Sequence, residues 1–269
     1  VTSTVVAQGL LAIGGLGIIA GSVTAGRLSR TYIETGVIPL AAVGMTACLA
    51  LIPAMGHTAT LGILLTVYGF FGGLFVVPLN ALIQFNAEDS DLGTVLAGNN
   101  FIQNVAMLAF LCGTVLASLT GLASVPIILT LAAVMAFGTY HTLRHLPQSL
   151  MRFLLRVVFA QHYRLTVSGL HNSPSSGGVL LLGNHPSWID WAVLHLAVPR
   201  PVRFVMTRRY YDRWYIRWFL DLYRVIPITS SAASKSALRT ITETLKAGEC
   251  VVLFPEGAIS RNGQLGPFR

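Results

Sequence analysis

The hydrophobic rhythm of the chain changes once. As far as residue 140 the apolar positions gather into five near-continuous blocks, at 5–25, 37–55, 61–85, 94–119 and 122–140. Each has roughly the 17–25 residues that an α-helix needs to cross a hydrocarbon core of ~30 Å. The breaks between them are short, which predicts a compact helical bundle. Beyond residue 161 the apolar runs shrink to a few residues each, at 165–167, 179–182, 202–206, 225–228 and 251–254. Between two of them a helical pattern occupies 188–197 and stops before Pro199. Short strands alternating with helices predict an α/β layer with a mostly parallel sheet. The stretch 141–161 joins the two regimes. It sets Arg144, Arg152 and Arg156 among Leu, Phe and Val, with Arg152 and Arg156 sharing a helix face, and so predicts a basic interfacial helix. The expected organisation is an all-α transmembrane bundle over 1–140, a linker helix over 141–161 and an α/β domain over 162–269.

Composition sharpens this division. The chain is 54% hydrophobic and only 10% charged, where a soluble domain carries nearer a quarter charged residues. Residues 1–140 hold two basic side chains, Arg27 and Arg30, against Glu34, Glu88, Asp89 and Asp91; residues 141–269 hold sixteen basic against six acidic. Arg27 and Arg30 follow the first span, which places that loop in the cytoplasm. Counting spans alternately, the fifth exits on the same side, into Arg144, Arg152 and Arg156. Cys48 and Cys112 lie in apolar runs and Cys250 enters a strand, so no disulfide framework is expected. Val1 opens close to an apolar block and Arg269 follows soon after a motif, as expected of a piece of a longer protein.

Within the spans, Gly17-x-x-x-Gly21 and the Gly-Gly pairs at 14–15 and 72–73 are packing devices that let helix backbones approach. Asn80, Gln84, Asn99, Asn100, Gln103 and Asn104 cluster on the third and fourth spans, and two reasons for them stand open: hydrogen-bonded glue between helices, or the lining of a polar path.

The chemistry concentrates after the run 179–182, in Gly183-Asn184-His185-Pro186-Ser187-Trp188-Ile189-Asp190. Pro186 pushes the preceding residue out of the α region, so His185 belongs to a turn; Ser187 then suits an N-cap, with Asp190 in the first helical turn. From that turn His185 can fold back onto the Asp190 carboxylate. A carboxylate on one ring nitrogen fixes the tautomer and leaves the other free to take a proton, which makes a general base. The spacing Ser187-x-x-Asp190 also describes a capping-box-like helix start with no chemistry attached. About 70 residues on, the run 251–254 ends in Phe254-Pro255-Glu256-Gly257.

Together, Asn184-His185-x-x-x-x-Asp190 and Phe254-Pro255-Glu256-Gly257 resemble the glycerolipid acyltransferases. The resemblance implies acyl transfer from a thioester to a lipid hydroxyl. His185 would be the base, Asp190 its orienting partner, and Asn184, Glu256 and Gly257 would join the acceptor site. The family's anion-holding arginines fall less cleanly here. Val225-Ile226-Pro227-Ile228 ends in Thr229-Ser230, with Arg224 ahead of the strand, and Arg261 stands displaced behind Ala258-Ile259-Ser260. Arg224 and Arg261 are therefore substrate-binding candidates in altered positions, which argues against a lysophosphatidic acid acceptor. Arg213-Trp214-Tyr215-Ile216-Arg217-Trp218 is similar to the branch that reacylates 2-acylglycerophosphoethanolamine, often fused to an acyl-carrier-protein synthetase.

Gly72-Gly73-Leu74-Phe75-Val76-Val77-Pro78-Leu79-Asn80-Ala81-Leu82 resembles the bacterial lysophospholipid transporters of the major facilitator superfamily, and the likeness runs over all five spans. It implies the last five of twelve helices, in a bacterial inner membrane, with the acyltransferase domain on the cytoplasmic face. The two resemblances imply uptake of a lysophospholipid joined to its reacylation. They imply no metal and no bound cofactor in this stretch, the thioester of acyl carrier protein or coenzyme A serving as co-substrate. Membrane lipids, the lysophospholipid and acyl carrier protein are the expected partners, and nucleic acid is not. A transporter with an idle appended domain, and a lysophosphatidic acid acyltransferase of de novo synthesis, are the alternatives. Arg209, Arg213 and Arg217 recur every fourth residue among Tyr210, Tyr211, Trp214, Tyr215 and Trp218, and predict an arginine stripe beside an aromatic face on one helix. Such a face suits a membrane surface, an acidic partner, or ordinary solvated charge over a core.

Overall fold

The computed structural model describes residues 3–30, 32–229, 235–260, 262–264 and 266–268. The chain divides into two compact units, Val1–Phe153 and Leu154–Arg269.

The first unit is built from α1 (Thr4–Leu28), α2 (Val37–Leu51, prolonged by a 3-10 turn Ile52–Ala54), α3 (Thr58–Asn86), α4 (Leu92–Leu119) and α5 (Ser124–His145). All five helices are long and apolar enough to cross a membrane. Their ends fall within a few residues of the apolar blocks, because the hydrophobic run sets the span and polar residues end it. Glycines bring the backbones of α1 and α3 together. A methyl group on Gly17 would land on the Thr66 carbonyl, one on Gly21 on that of Phe70, and one on Gly69 on that of Gly14. Gly73 likewise lies against Ile18 and Ser22 backbone. Gly15 and Gly72, the other members of the two Gly-Gly pairs, face open space. Between α2 and α5 the contact is polar: the Thr46 and Thr139 hydroxyls lie 2.7 Å apart, and Thr139 Oγ1 donates to the Ala42 carbonyl at 3.0 Å. In lipid, where apolar contact brings no hydrophobic gain, close backbones and such hydrogen bonds hold helices together. No residue of α4 is buried, and Asn104 there donates back to the Asn100 carbonyl of its own helix.

The loop after α1 is drawn inward. Glu34 is only 4% exposed. It accepts from the Tyr32 hydroxyl at 3.1 Å and from the Gly36 N–H at 3.2 Å. Chain direction breaks at Leu146, ahead of Pro147, and α6 (Pro147–His162) begins. The start of α6 rests on this loop: Gly36 sits so close to Ser149 and Phe153 that it has no room for a side chain. Burial raises the Glu34 carboxyl above its ordinary range, with the Gly36 N–H and the Arg152 charge pulling it back.

The second unit is a parallel sheet of β1 (Val179–Leu182), β2 (Val202–Thr207), β3 (Ile226–Ile228) and β4 (Cys250–Leu253), in the order β1-β4-β2-β3. The helices between these strands are α7 (Asp190–Ala197), α8 (Arg208–Tyr211), α9 (Trp214–Leu222) and α10 (Lys235–Lys246). The last strand in sequence is thus interior to the sheet, and Cys250, Val251 and Val252 are its most buried residues. Parallel strands need crossovers, which are nearly always right-handed. That places α7 and α9 on one face and α10 on the other. Aromatic packing binds the first pair: Trp191 meets Phe219 edge-on at 5.1 Å, and His195 meets Tyr223 at 4.4 Å. At the amino end of the sheet, Arg203 grips Glu249 through two hydrogen bonds of 2.5 and 2.6 Å.

Two expectations about this unit need correction. Residues 165–167 form no strand; β1 pairs only with β4, and Leu165 and Val167 are exposed with no ladder to join. The arginine stripe is not on one helix. Asp212 closes α8, and Arg213 takes an extended backbone (φ −72°, ψ 119°) before α9 starts, so the four-residue repeat is cut at its middle arginine.

Candidate active site

The register Leu182↔Leu253 aligns the carboxyl ends of β1 and β4, and both motifs leave the sheet there, side by side. In parallel α/β sheets this edge is where ligands bind, because the loops that follow the strands open onto it. A sequence separation of 71 between His185 and Glu256 collapses to one hydrogen bond, from the His185 N–H to Glu256 Oε1 at 3.1 Å.

Asp190 organises the first loop. Its Oδ2 receives the Ser187 N–H at 2.9 Å and lies 2.8 Å from His185 Nδ1. The Ser187 hydroxyl accepts from the Ile189 N–H at 3.4 Å, and α7 begins at Asp190 itself, two residues later than a helix starting at residue 188. The Ser187 N–H and the imidazole share one carboxylate oxygen, but Ser187 is not the N-cap of α7: that position falls to Ile189, whose side chain caps nothing. A neutral imidazole with its Nδ1–H donated to Asp190 presents Nε2 as the basic nitrogen. The pair is partly shielded, with side chains 22% and 16% exposed. Partial shielding strengthens the contact while leaving the ring within reach of a substrate.

The second loop holds the first. Gly257 adopts φ +64°, a left-handed conformation that a side chain would strain, and its N–H closes the turn onto the Phe254 carbonyl at 3.1 Å. That turn directs Glu256 inward, 4% exposed, onto His185. Three residues further, the Ser260 N–H donates to the His185 carbonyl at 2.7 Å. Both backbone groups of His185 are therefore held by the segment that follows β4. Phe254 completes the enclosure, its ring stacked on the imidazole at 4.2 Å and 12°. Sequence reasoning gave Phe254 and Ser260 no role; Phe254 lay inside the quoted motif, whereas a backbone donor such as Ser260 leaves no trace in residue type.

The remaining candidates disperse. Asn184 is exposed, next to His185. Arg224 is not brought to the site. Its backbone is left-handed (φ 51°), and its guanidinium lies 3.7 Å from Glu249, the residue that precedes β4 at the far end of the sheet. Arg261 lies outside the described residues.

Residues 164–269 match the family described as Acyltransferase, and the C-terminal part of the chain carries such a domain. The chain is 30% identical over 110 residues to a chloroplastic 1-acyl-sn-glycerol-3-phosphate acyltransferase, LPAT1, of Arabidopsis thaliana, covering 40% of this chain and 31% of that protein. It is 38% identical over 110 residues to the lysophospholipid transporter LplT of Cronobacter sakazakii, covering 40% of this chain and 25% of the relative. A 1-acyl-sn-glycerol-3-phosphate acyltransferase of Bacillus subtilis is 24% identical over 104 residues, 38% of this chain and 52% of its own length. The chain thus spans about a third or less of LPAT1 and LplT. No solved structure matches.

Proposed function

We propose that the protein moves a lysophospholipid across the bacterial inner membrane and reacylates it on the cytoplasmic side, with His185 as general base. The observation that carries the catalytic half is the 2.8 Å contact between His185 Nδ1 and Asp190 Oδ2 at the shared carboxyl edge of β1 and β4. Nε2 takes the proton of the acceptor hydroxyl as its oxygen attacks the thioester carbonyl. The tetrahedral intermediate then collapses, the C–S bond breaks, and the imidazolium returns the proton to the departing thiolate. An ester and a free thiol result, with no covalent enzyme intermediate. Asp190 keeps the tautomer and stabilises the imidazolium, as a buried carboxylate does for histidine bases generally. Glu256 positions His185 through its backbone, and Gly257 shapes the turn that makes this possible. Acyl carrier protein or coenzyme A supplies the thioester.

For the acceptor, we favour 2-acylglycerophosphoethanolamine. The likeness to LplT supports a lysophospholipid substrate, and Arg224 turned toward Glu249 fits an acceptor whose phosphate is a singly charged diester better than one with a phosphate monoester. The names of the two acyltransferase relatives favour the second reading, lysophosphatidic acid.

The test is acyl transfer by the full-length parent protein in membranes, offered lysophosphatidylethanolamine or lysophosphatidic acid, as wild type and as His185→Ala. Transfer to the ethanolamine lipid should fall roughly 10²–10⁴-fold in the variant. Transfer confined to lysophosphatidic acid would keep the mechanism and overturn the acceptor. Activity unchanged by the substitution would overturn the catalytic assignment.

A further inference from the structure

Helix α9 is two-faced in an unusual way. Ile216, Phe219, Leu220 and the following Tyr223 turn inward, with Leu220 and Tyr223 buried. At 100° per residue, Trp214 and Trp218 project from the opposite side. They are 86% and 60% exposed. Tyr215 and, from α8, Tyr210 flank them and are about half exposed. An indole carries 150–250 Å² of mostly apolar surface, so two of them one turn apart form a patch that water does not favour.

The cations around this patch complete its character. Arg213 donates to the Tyr215 hydroxyl at 2.7 Å, and its guanidinium lies 5.2 Å from the centre of the Tyr210 ring. A weakly hydrated cation spread on aromatic rings suits a layer that is apolar on one side and anionic on the other. Two other arginines are already matched by carboxylates, Arg208 to Asp212 at 3.4 Å and Arg217 to Asp221 at 3.8 Å. An acidic protein would meet those carboxylates as well, and would gain little from the two indoles at the centre. The headgroup layer of a bilayer gains from both, since Trp and Tyr settle at that depth and Arg pairs with lipid phosphates.

We infer that the outer face of α8–α9, centred on Trp214 and Trp218, seats the second unit in the interface of an anionic phospholipid bilayer. The five helices of its first unit are long and apolar enough to cross that membrane, and a chain so tethered needs only a modest affinity for the surface. The contact is independent of whether the domain transfers acyl groups.

Tryptophan makes the inference readable. All four tryptophans of the 269 residues, at 188, 191, 214 and 218, lie in the second unit, so emission from this 269-residue chain reports on that unit alone. The full chain would be reconstituted in phosphatidylethanolamine–phosphatidylglycerol vesicles, with and without lipid brominated just below the headgroups. One variant, Trp188→Phe with Trp191→Phe, keeps the α9 pair; the other, Trp214→Phe with Trp218→Phe, keeps the pair near the site. Brominated lipid should quench the first variant by about half or more and the second clearly less. Equal quenching of the two variants, or none in the first, overturns the inference. So does a first variant indifferent to bromine whose emission shifts when an acidic acyl carrier protein is added.

Discussion

The two units are held by opposite means. Where α1 crosses α3, order comes from atoms that are missing: Gly17, Gly21, Gly69 and Gly73 let carbonyls of one helix sit where a methyl of the other would be. At the carboxyl edge of the sheet, order comes from atoms that are present, four hydrogen bonds converging on His185 and Asp190. The first interface should therefore be fragile to addition and the second to subtraction. That difference reflects the solvent. In lipid the gain comes from close packing of backbones, whereas at a half-buried aqueous site it comes from dipoles and charges aimed at one ring.

The sharpest subtraction is Asp190→Asn. The amide oxygen can still accept from the Ser187 N–H and from Nδ1–H, so the loop before α7 should survive, yet the imidazolium formed in the reaction loses the negative charge that stabilises it. Acyl transfer should fall roughly 10²–10⁴-fold with little change in thermal stability, measured as turnover beside a melting curve. A parallel loss of both would mean that the carboxylate serves only the helix start. Next comes Glu256→Ala, which takes the acceptor away from the part-buried His185 N–H. A hydrogen bond to a charged group is worth about 1.5–3 kcal/mol, so the rate should drop roughly 10–100-fold if that strength goes into holding the ring. Glu256→Gln, which keeps an acceptor, should recover much of it; no recovery would show that the charge itself acts.

The corresponding addition is Gly21→Ala. One methyl against the Phe70 carbonyl should cost about 1–3 kcal/mol, more than the ~1 kcal/mol a helical Gly-to-Ala change returns. Gly15→Ala meets nothing within 4 Å and should be neutral or slightly stabilising. Unfolding of the parent protein in mixed micelles compares them, and equal effects would refute the missing-atom account. The smallest effect belongs to Glu34. Its carboxyl is raised from 4.5 in the native state, so the folded chain binds the proton more tightly than the unfolded chain. The stability this contributes is complete below about pH 4.5 and is lost as pH rises through the native value. Glu34→Gln should flatten that slope; an unchanged slope would place its origin elsewhere.

Much of this was legible from residues alone, for reasons that differ by region. Five spans could be bounded to within a few residues because membrane thickness imposes a length that apolar runs must match. His185 and Asp190 could be paired because Pro186 forbids the uniform helix that would have separated them. What escaped depended on backbone geometry. Arg213 looks like the middle of a helical stripe until its extended ψ is known, and Arg224 looks like a displaced phosphate ligand until its left-handed φ turns it toward Glu249. The grip of Ser260 on His185 was invisible because any residue supplies an N–H. Arg261, the other displaced arginine, lies outside the described residues.

The strand order carries a consequence for how the chain is made. Strand β4 is synthesised last of the four yet lies between β1 and β2, so until residues 250–253 leave the ribosome those two strands have no common neighbour. Closing them requires contacts across roughly 50 to 70 residues, the slow and entropically costly kind. The nascent domain must therefore wait, open, while the five helices that precede it, each long and apolar enough to cross a membrane, are already made. Its exposed strand edges need protection throughout that interval, and an arrest placed just before Cys250 would trap the chain with its histidine made but not yet mounted.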